Sequence, residues 1–323
     1  MVSLCPAAVP IALDLPAGIA QPDLLDTLRG LAWGAADILR AYARGLQPPY
    51  GFPIGLQVQD GDEGPVSAAD LAVNRWLLDG LNAAFPAAAW QLLSEESAKA
   101  TPPGQPSTSI TPSPADGWLW ILDPLDGTRD FLQGTGEYAV HLALVRRQRP
   151  LLGVVLLPER EELWLGLLPA EGNGGEAWCE RRSGERLPAR LSERSSLEAL
   201  VLVASRNHRD QRLEQLLATL PLAERHAMGS VGGKVATILR GETDLYISLS
   251  GRTAPKDWDM AAPEALLRAA GGQFSHADGR PLLYNTGDPR QAGCLIASHG
   301  RLHAELCQAA TAALARIDPG FAV

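Results

Sequence analysis

Cysteine is scarce in this sequence: Cys5, Cys179, Cys294 and Cys307 are the only four among 323 residues. No two of them have the C-x-x-C spacing that zinc sites and thioredoxin-type redox pairs use. A disulfide framework is also not expected in so long a chain with so few cysteines. We therefore expect free thiols in a reducing compartment, and we predict a cytoplasmic protein.

Basic residues are also few: Lys and Arg number 28 against 37 Asp and Glu, a formal net charge of −9. Binding to a nucleic-acid polymer is driven by Lys and Arg contacts to phosphates, so this composition argues against such a partner. A small phosphorylated ligand remains possible, because metal ions can lie between an acidic protein and a phosphate.

Long apolar segments are missing as well. The sequence has no run of eighteen or more apolar residues, so no transmembrane helix is predicted. Residues 1–20 lack a basic segment and contain several prolines, so we interpret them as a flexible extension and not as a signal peptide. The segment 97–117, rich in Pro, Ser and Thr, is interpreted as a mobile loop.

The first half of the chain contains two kinds of periodicity. Apolar residues recur at helical spacing over 22–44 and 68–84, which predicts two helices. A Gly- and Pro-rich loop or short hairpin separates them. Four strand-like runs with short turns lie between 118 and 168, which favours a mixed or antiparallel sheet.

The second half of the chain has a different organisation. From about residue 195, strands alternate with helices, which is typical of α/β proteins. A chain of 323 residues suits two domains or one large layered domain. We predict an α+β metal-binding domain over 21–194 and an α/β domain over 195–323.

Two acidic residues flank a proline in the stretch WILDPLDGTRDF, residues 120–131. The apolar run predicts a strand that ends at Pro124, with Asp123 and Asp126 on either side of the break. Exposed carboxylates are common on any surface, but carboxylates at the mouth of a core need a partner, usually a cation. The stretch therefore raises the possibility of a metal site.

Further acidic residues could complete such a site: Glu95 and Glu96 follow an apolar run, and Asp259 precedes an Ala-rich helix. Four carboxylates from three segments could bridge two Mg²⁺ ions and clamp a phosphate between them. Each signal alone has a simpler explanation. An acidic pair is usually solvated, D-P-x-D-G is usually a turn, and Asp259 could be a helix N-cap. Asp70 follows Ser67 at the spacing of a capping box.

Four motifs occur together in one order: PVSAAD at 65–70, SEES at 94–97, DPLDGT at 123–128 and WDMAA at 258–262. This combination resembles the inositol monophosphatase superfamily of Mg²⁺-dependent, lithium-sensitive phosphatases, over roughly residues 22 to 300. The resemblance implies a layered α-β-α-β-α sandwich of the inositol monophosphatase and fructose-1,6-bisphosphatase type, an α/β (α+β) fold. It also implies two or three Mg²⁺ ions per site.

The resemblance assigns roles to individual residues of this chain. Metal ligands are expected at five positions: Glu95, Asp123, the backbone carbonyl of Leu125, Asp126 and Asp259. Asp70 and Thr128 match the hydrogen-bonded pair that orients and deprotonates the attacking water, with Glu95 as a further catalytic residue. Gly127 and Thr128 open a helix, so their N–H groups can face a phosphate, and Asp259 is also expected to contact the substrate.

The residues after DGT point to one branch of the superfamily. TRDF at 128–131 resembles the T-K-E-F of 3′(2′),5′-bisphosphate nucleotidases, and GEYAVHLALV and SRNH resemble that branch's GEFTVNIAL and SRSH. Cationic candidates for a second phosphate are Arg206, Lys234 and Lys256, although each could equally be a solvated surface residue.

The leading hypothesis is a Mg²⁺-dependent 3′-phosphatase that converts adenosine 3′,5′-bisphosphate to AMP and phosphate. Such an enzyme would remove a by-product of sulfotransfer or sulfate reduction, as the resemblance implies. An inositol- or sugar-phosphate phosphatase with the same site is the first alternative. A non-catalytic phosphate- or nucleotide-binding protein is disfavoured, because such a protein would not need Asp70 and Thr128. Monomer and homodimer both remain open.

Two departures from the family pattern carry expectations of their own. Pro263 stands where the family usually has Gly, near the start of the Asp259 helix, and we expect a local adjustment without loss of the metal site. The segment GSVGGK, residues 229–234, is looser than the branch's Gly-Ser segment. Its glycines could leave room for a nucleoside or make a flexible helix start.

Overall fold

The computed structural model describes residues 11–61, 64–99, 117–170, 174–207, 209–250 and 254–321. Most of the predicted loop 97–117 and half of the predicted extension 1–20 lie outside these residues. Residues 11–20 are packed against the core, because Gln21 accepts from the Leu13 N–H and donates to the Ile11 carbonyl, both at 2.8 Å. The backbone carbonyl of Asp14 accepts from the indole N–H of Trp118 at 2.9 Å.

The described residues form helices and strands in the following order: α1 Gln21–Ala43, β1 Val58–Gly61, β2 Gly64–Ser67, α2 Ala68–Ala84, β3 Trp90–Ser94, α3 Glu95–Lys99, β4 Trp118–Asp126, α4 Thr128–Leu132, β5 Ala139–Arg146, β6 Arg149–Leu157, β7 Glu162–Leu167, β8 Glu176–Arg181, β9 Arg186–Pro188, β10 Val201–Ser205, α5 Gln211–Thr219, β11 Glu224–Met228, α6 Val231–Leu239, β12 Leu245–Ser250, α7 Asp257–Ala269, β13 Gln273–His276, β14 Gly293–Ser298 and α8 His303–Ile317. The predicted helices at 22–44 and 68–84 are confirmed as α1 and α2, and the hairpin β1–β2 lies between them.

Two main sheets divide the strands. The first has the order β3-β4-β5-β6-β7-β8-β9; only its β3–β4 pair is parallel, so the sheet is mixed as predicted. The second has the order β11-β10-β12-β14-β13, with parallel pairs around β10 and antiparallel pairs around β14. Strands β11 and β13 are short edge strands that the apolar pattern did not predict.

The apolar residues arrange these elements in five layers, so the predicted α-β-α-β-α sandwich is confirmed. Helices α1 and α2 pack on one face of the first sheet through residues such as Leu28, Leu77 and Trp120. Helices α6 and α7 lie between the two sheets, where Met260 and Leu266 meet side chains of both. Helices α5 and α8 cover the outer face of the second sheet.

Helix α7 lies close to the first sheet because two glycines face it. Gly153 of β6 and Gly166 of β7 are direct register partners. A Cβ atom on Gly153 would lie 2.6 Å from the carbonyl oxygen of Ala262, and one on Gly166 would lie 2.9 Å from the Cα of Leu266. Because real Cβ contacts are never this short, the glycine pair fixes how closely α7 approaches the strands.

The division into two domains stays a prediction. The first sheet ends at Pro188 and the second begins at Val201, on either side of the predicted boundary at 194/195. Helix α7 follows that boundary in sequence, yet it packs on the first sheet, so the layers do not follow the chain order. No helix among the described residues is long and apolar enough to cross a membrane.

Candidate active site

A bulge at the end of β4 brings Asp123 and Asp126 to the same place. The predicted end of this strand at Pro124 is wrong, because β4 continues to Asp126. Asp123 pairs with His141 and Asp126 with Ala139, so three steps on β4 oppose two on β5. In a regular strand, residues three apart face opposite sides. The extra residue changes this phase, and Pro124, which has no N–H to donate, sits within the irregular segment.

Three carboxylates from two distant segments converge at this point. Asp123, Asp126 and Asp259 each have an oxygen within 4.8 Å of the others. Burial raises the pKa of Asp123 well above its ordinary value, and the nearby Glu95, Asp126 and Asp259 raise it further. Burial together with Glu95 and Asp126 raises the pKa of Asp259 to about 7. As anions these groups repel one another, and a divalent cation among them would relieve that repulsion.

Asp126 differs from Asp123 and Asp259 in the number of hydrogen-bond donors that surround its carboxylate. Its Oδ2 accepts from the Ser230 hydroxyl at 2.5 Å and from the Gly232 N–H at 3.1 Å, and the His141 Nε2 lies 3.1 Å from the same oxygen. Burial alone would raise the pKa of Asp126, but His141, Lys234 and Ser230 outweigh it and hold the pKa below its ordinary value. Asp126 therefore stays ionised at neutral pH.

Asp259 lies at the third position of α7, one turn after the N-cap Lys256, and is not itself the N-cap. It accepts from the Lys256 backbone N–H at 2.5 Å, which orients its carboxylate at the start of the helix. Pro263 stands inside α7. Because proline has no N–H, it cannot donate to the carbonyl of Asp259, as a residue four positions later normally would. The helix nevertheless continues to Ala269.

Glu95 begins α3 beside the cluster. Its carboxylate pairs with Lys99 Nζ at 2.8 Å, and Glu96 pairs with the same ammonium at 3.3 Å. Glu96 is buried, and burial with the nearby Glu95 and Asp70 raises its pKa to about 7 although Lys99 opposes this. Of the acidic pair, Glu95 is therefore the residue that adds charge to the Asp123 cluster, while Glu96 lies in the protein interior.

Asp70 joins two roles that the sequence presented as alternatives. Its Oδ2 accepts from the Ser67 N–H at 2.8 Å and from the Ser67 hydroxyl at 2.6 Å, which completes the capping box of α2. Its Oδ1 lies 3.1 Å from Thr128 Oγ1, and that hydroxyl also lies 3.2 Å from the Leu125 carbonyl. Burial raises the pKa of Asp70 to about 6. The residue can therefore cap a helix and pair with Thr128 at once.

Gly127 makes the turn from β4 into α4. Its φ of 94° is in the left-handed region, which glycine adopts without strain. The turn follows Leu125 and Asp126 and places Thr128 at the start of α4. The segment 123–128 thus contains residues that the family resemblance assigns to the metal, the water and the phosphate, while Glu95, Asp70 and Asp259 come from other elements.

The three predicted cations have different surroundings. Lys234 is buried, and its ammonium donates to the carbonyls of Gly229 and Ser230. Burial lowers its pKa to about 8. Arg206 is about one third exposed and pairs with Asp130 and, at 2.7 Å, with Glu137. The third cation, Lys256, is the N-cap residue of α7. It interacts electrostatically with the carboxyl group of Asp288.

Several residues at the site lie in segments that the sequence analysis compared with the family, but no individual role was predicted for them. His141, Ser230 and Gly232 contact Asp126, and Asp130 holds Arg206. His141 lies in a strand of apolar residues, where a single polar residue is a weak signal. Gly232 of the segment 229–234 faces the protein interior, since a Cβ on it would lie 2.3 Å from the imidazole of His141. Gly232 therefore allows close packing.

Residues 21–315 match the inositol monophosphatase family. This chain belongs to that family. A 3′(2′),5′-bisphosphate nucleotidase CysQ of Shigella flexneri is 32% identical over 274 residues, which cover 83% of this chain and 96% of the relative. A 3′-phosphoadenosine 5′-phosphate phosphatase of Mycobacterium leprae is 35% identical over 176 residues, 54% of this chain and 60% of that protein.

Solved structures of inositol monophosphatase family members share the fold. The Thermotoga maritima IMPase has a TM-score of 0.66 at 22% identity and covers 91% of this chain, which in turn covers 99% of that protein. The extragenic suppressor protein suhB of Bartonella henselae has a TM-score of 0.66 at 24% identity, with 90% and 98% covered. At these identities the likeness concerns the fold alone.

Proposed function

We propose that this inositol monophosphatase family member is a Mg²⁺-dependent phosphomonoesterase that removes the 3′-phosphate of adenosine 3′,5′-bisphosphate, releasing AMP and phosphate. The convergence of Asp123, Asp126 and Asp259 within 4.8 Å carries the metal-dependent part. The 32% identity to a 3′(2′),5′-bisphosphate nucleotidase over most of both chains supports the nucleotide substrate. A small nucleotide, and not a nucleic-acid polymer, is the expected partner, and we retain the prediction of a cytoplasmic location.

The donor set fits Mg²⁺, because it consists of oxygen atoms from carboxylates and a carbonyl. Glu95, Asp123, Asp126, Asp259 and the Leu125 carbonyl would hold two or three ions. Bound there, such ions supply charge neutralisation at the phosphate, a more acidic water, and stabilisation of the leaving oxygen. The convergence of three carboxylates within 4.8 Å favours a cation at this place, and the raised pKa values of Asp123 and Asp259 are consistent with their mutual repulsion.

The protein's own residues have the geometry to position and deprotonate a water. Thr128 Oγ1 lies between Asp70 Oδ1 and the Leu125 carbonyl, at 3.1 and 3.2 Å. If Thr128 donates to Asp70, the hydroxyl oxygen is free to accept a proton from a water beside it, and Asp70 can take the proton that Thr128 passes on. Water attacks phosphorus as its proton passes through Thr128 to Asp70, the ester P–O bond breaks, and the ribose oxygen leaves as a hydroxyl after taking a proton from solvent water.

A second candidate function is hydrolysis of an inositol or sugar phosphate with the same metal site. The burial of Lys234 favours this alternative, because one of the three cations expected to bind a second phosphate faces backbone carbonyls instead. Arg206 forms ion pairs with Asp130 and Glu137. It is therefore the candidate cation whose position is fixed by neighbouring side chains.

Phosphate release with Mg²⁺ from four compounds tests the proposal: adenosine 3′,5′-bisphosphate, 3′-phosphoadenosine 5′-phosphosulfate, inositol 1-phosphate and fructose 1,6-bisphosphate. We expect kcat/KM for the two adenosine compounds to exceed the others by at least about tenfold, and EDTA to abolish all release. A preference for inositol or sugar phosphate would overturn the nucleotide assignment and leave the phosphatase assignment intact. No release from any compound would overturn both.

A further inference from the structure

His141 contacts both segments that supply the Asp126 and Asp259 carboxylates. Its Nε2 lies 3.1 Å from Asp126 Oδ2, and its Nδ1 lies 3.3 Å from the backbone carbonyl of Trp258, the residue before Asp259. The imidazole is completely buried. It therefore connects the end of β4 to the first turn of α7 from its own position on β5.

The neighbourhood of His141 is built closely around the ring. A Cβ atom on Gly232 would lie 2.3 Å from Nε2 and 2.7 Å from Val155 Cγ1. Gly232 also donates its N–H to Asp126 Oδ2 at 3.1 Å. The glycine thus does two things at once: it provides a donor to the carboxylate, and it leaves the space in which the imidazole reaches the same oxygen.

The two oxygens of the Asp126 carboxylate have different surroundings. Ser230, Gly232 and His141 all contact Oδ2, so among the described residues Oδ1 is the oxygen left for a cation. Groups that hold the second oxygen of a metal-binding carboxylate orient the ligand and tune its affinity. His141 adds a second constraint, because its contact with Trp258 ties the position of the Asp259 turn to that of Asp126.

We propose that His141 is a positioning residue that sets the relation of Asp126 to Asp259 and thereby the affinity of the cation they share, with Gly232 providing the space it requires. The inference rests on the proposed metal site and adds to it a residue that touches no substrate. Neither residue belongs to the four motifs of the family resemblance.

Mn²⁺ binding to the substrate-free protein, measured by isothermal titration calorimetry and by electron paramagnetic resonance, tests this. We expect His141→Ala to weaken the site shared by Asp126 and Asp259 by roughly 10- to 100-fold. His141→Gln keeps an amide donor near the position of Nε2 and should recover much of the affinity. His141→Asn keeps a polar group only near Nδ1 and should recover little.

His303→Ala is the matched control for removal of a buried imidazole. His303 lies between Ser275 and Ser298, at 2.8 and 2.9 Å, in the layer of α8 and the second sheet. Thermal unfolding in EDTA should show both alanine variants destabilised, whereas only His141→Ala should lose Mn²⁺ affinity. Equal Mn²⁺ affinity in His141→Ala and wild type would overturn the inference.

A double-mutant cycle with Gly232→Ala gives a second measurement, useful also if His141→Ala folds poorly. The added methyl group would displace the imidazole, so Gly232→Ala should weaken Mn²⁺ binding in the wild-type background and have a much smaller effect in the His141→Ala or His141→Asn background, where no atom occupies the position of Nε2. The contact with Val155 is present in every background and cancels in the cycle. Equal losses in both backgrounds would overturn the role assigned to Gly232.

The same titrations separate this inference from the proposed function. If the wild-type protein binds no Mn²⁺ or Mg²⁺ at millimolar concentration, the metal-dependent function is wrong. If it binds the ions and hydrolyses its substrate while the His141 variants bind equally well, only the positioning role is wrong.

Discussion

At the scale of single residues, the two oxygens of one carboxylate often have different partners at this site. Asp70 uses one oxygen to cap α2 through Ser67 and the other to meet Thr128. Asp126 uses one oxygen for protein donors. A residue type and a spacing do not show this division, because it depends on which donors the fold brings to each oxygen.

Asp126→Asn tests the assignment of Asp126 as a metal ligand. The asparagine carbonyl oxygen would take the place of Oδ2, because Ser230 and Gly232 donate there. Its NH₂ group would then face the cation site, and an NH₂ group cannot bind a cation. We expect phosphate release to fall by at least about 10³-fold, with a thermal unfolding midpoint in EDTA close to that of wild type.

Asp79→Asn is the control for loss of one negative charge. Asp79 is exposed and pairs with Arg75 on the surface of α2, so its removal should leave turnover within about twofold of wild type. Turnover of Asp126→Asn at the level of this control would contradict the metal assignment.

At the scale of elements, the distance between α7 and the first sheet decides where Asp259 lies. Gly153 and Gly166 pair across β6 and β7 beneath the helix. Because Asp259 stands in the first turn of α7 and Asp126 at the end of β4, any shift of the helix changes their separation. The packing of two elements is therefore part of the metal site.

Gly153→Ala is expected to push α7 away from the strands. The new methyl carbon would lie 2.6 Å from the Ala262 carbonyl and 2.7 Å from the Ala265 methyl, and overpacking of this kind costs about 1–3 kcal/mol. Urea unfolding should show that loss, and Mn²⁺ titration should show weaker binding, because Asp259 moves with the helix.

Gly30→Ala is the matched control in α1. A Cβ at Gly30 has no neighbouring atom within 4 Å, and alanine favours helix over glycine by up to about 1 kcal/mol. This variant should unfold at equal or higher urea concentration. If Gly153→Ala were as stable as Gly30→Ala, the close approach of α7 would not be needed for folding.

At the scale of the whole molecule, the charged groups that make up the net charge of −9 are unevenly distributed. Several carboxylates are buried together at the candidate active site. Burial raises the pKa of Asp70 to about 6 and that of Asp259 to about 7, whereas carboxyl groups in unfolded chains titrate near 4. Between about pH 4 and pH 7 the folded protein therefore binds more protons than the unfolded chain. Its free energy of unfolding without metal should fall as pH rises through this window.

Mg²⁺ should reverse that loss, since it binds the ionised carboxylates. We expect 10 mM MgCl₂ to raise the unfolding midpoint by several degrees at pH 8 and by much less at pH 5, where protons compete for the same oxygens. Differential scanning fluorimetry in EDTA and in MgCl₂ measures both shifts, with NaCl at matched ionic strength as the control. A shift at pH 5 as large as that at pH 8 would contradict the prediction.

The sequence by itself determined the family, the helices α1 and α2, the mixed first sheet and the change to α/β organisation near residue 195. These follow from local periodicity and from four short motifs, which need no knowledge of distant contacts. The motifs DPLDGT and WDMAA also predict Asp123, Asp126 and Asp259 as metal ligands through the family resemblance, and the structure brings these three carboxylates within 4.8 Å of one another.

Tertiary structure alone decided how those residues meet. The bulge in β4 depends on pairing with β5, the position of Asp259 depends on the glycine pair beneath α7, and the burial of Lys234 depends on the turn at Gly229 and Ser230. His141 could not be found from its neighbours in sequence, because its partners lie on β4 and α7. Contacts between segments far apart in the chain arise only when the layers pack, and no local pattern encodes them.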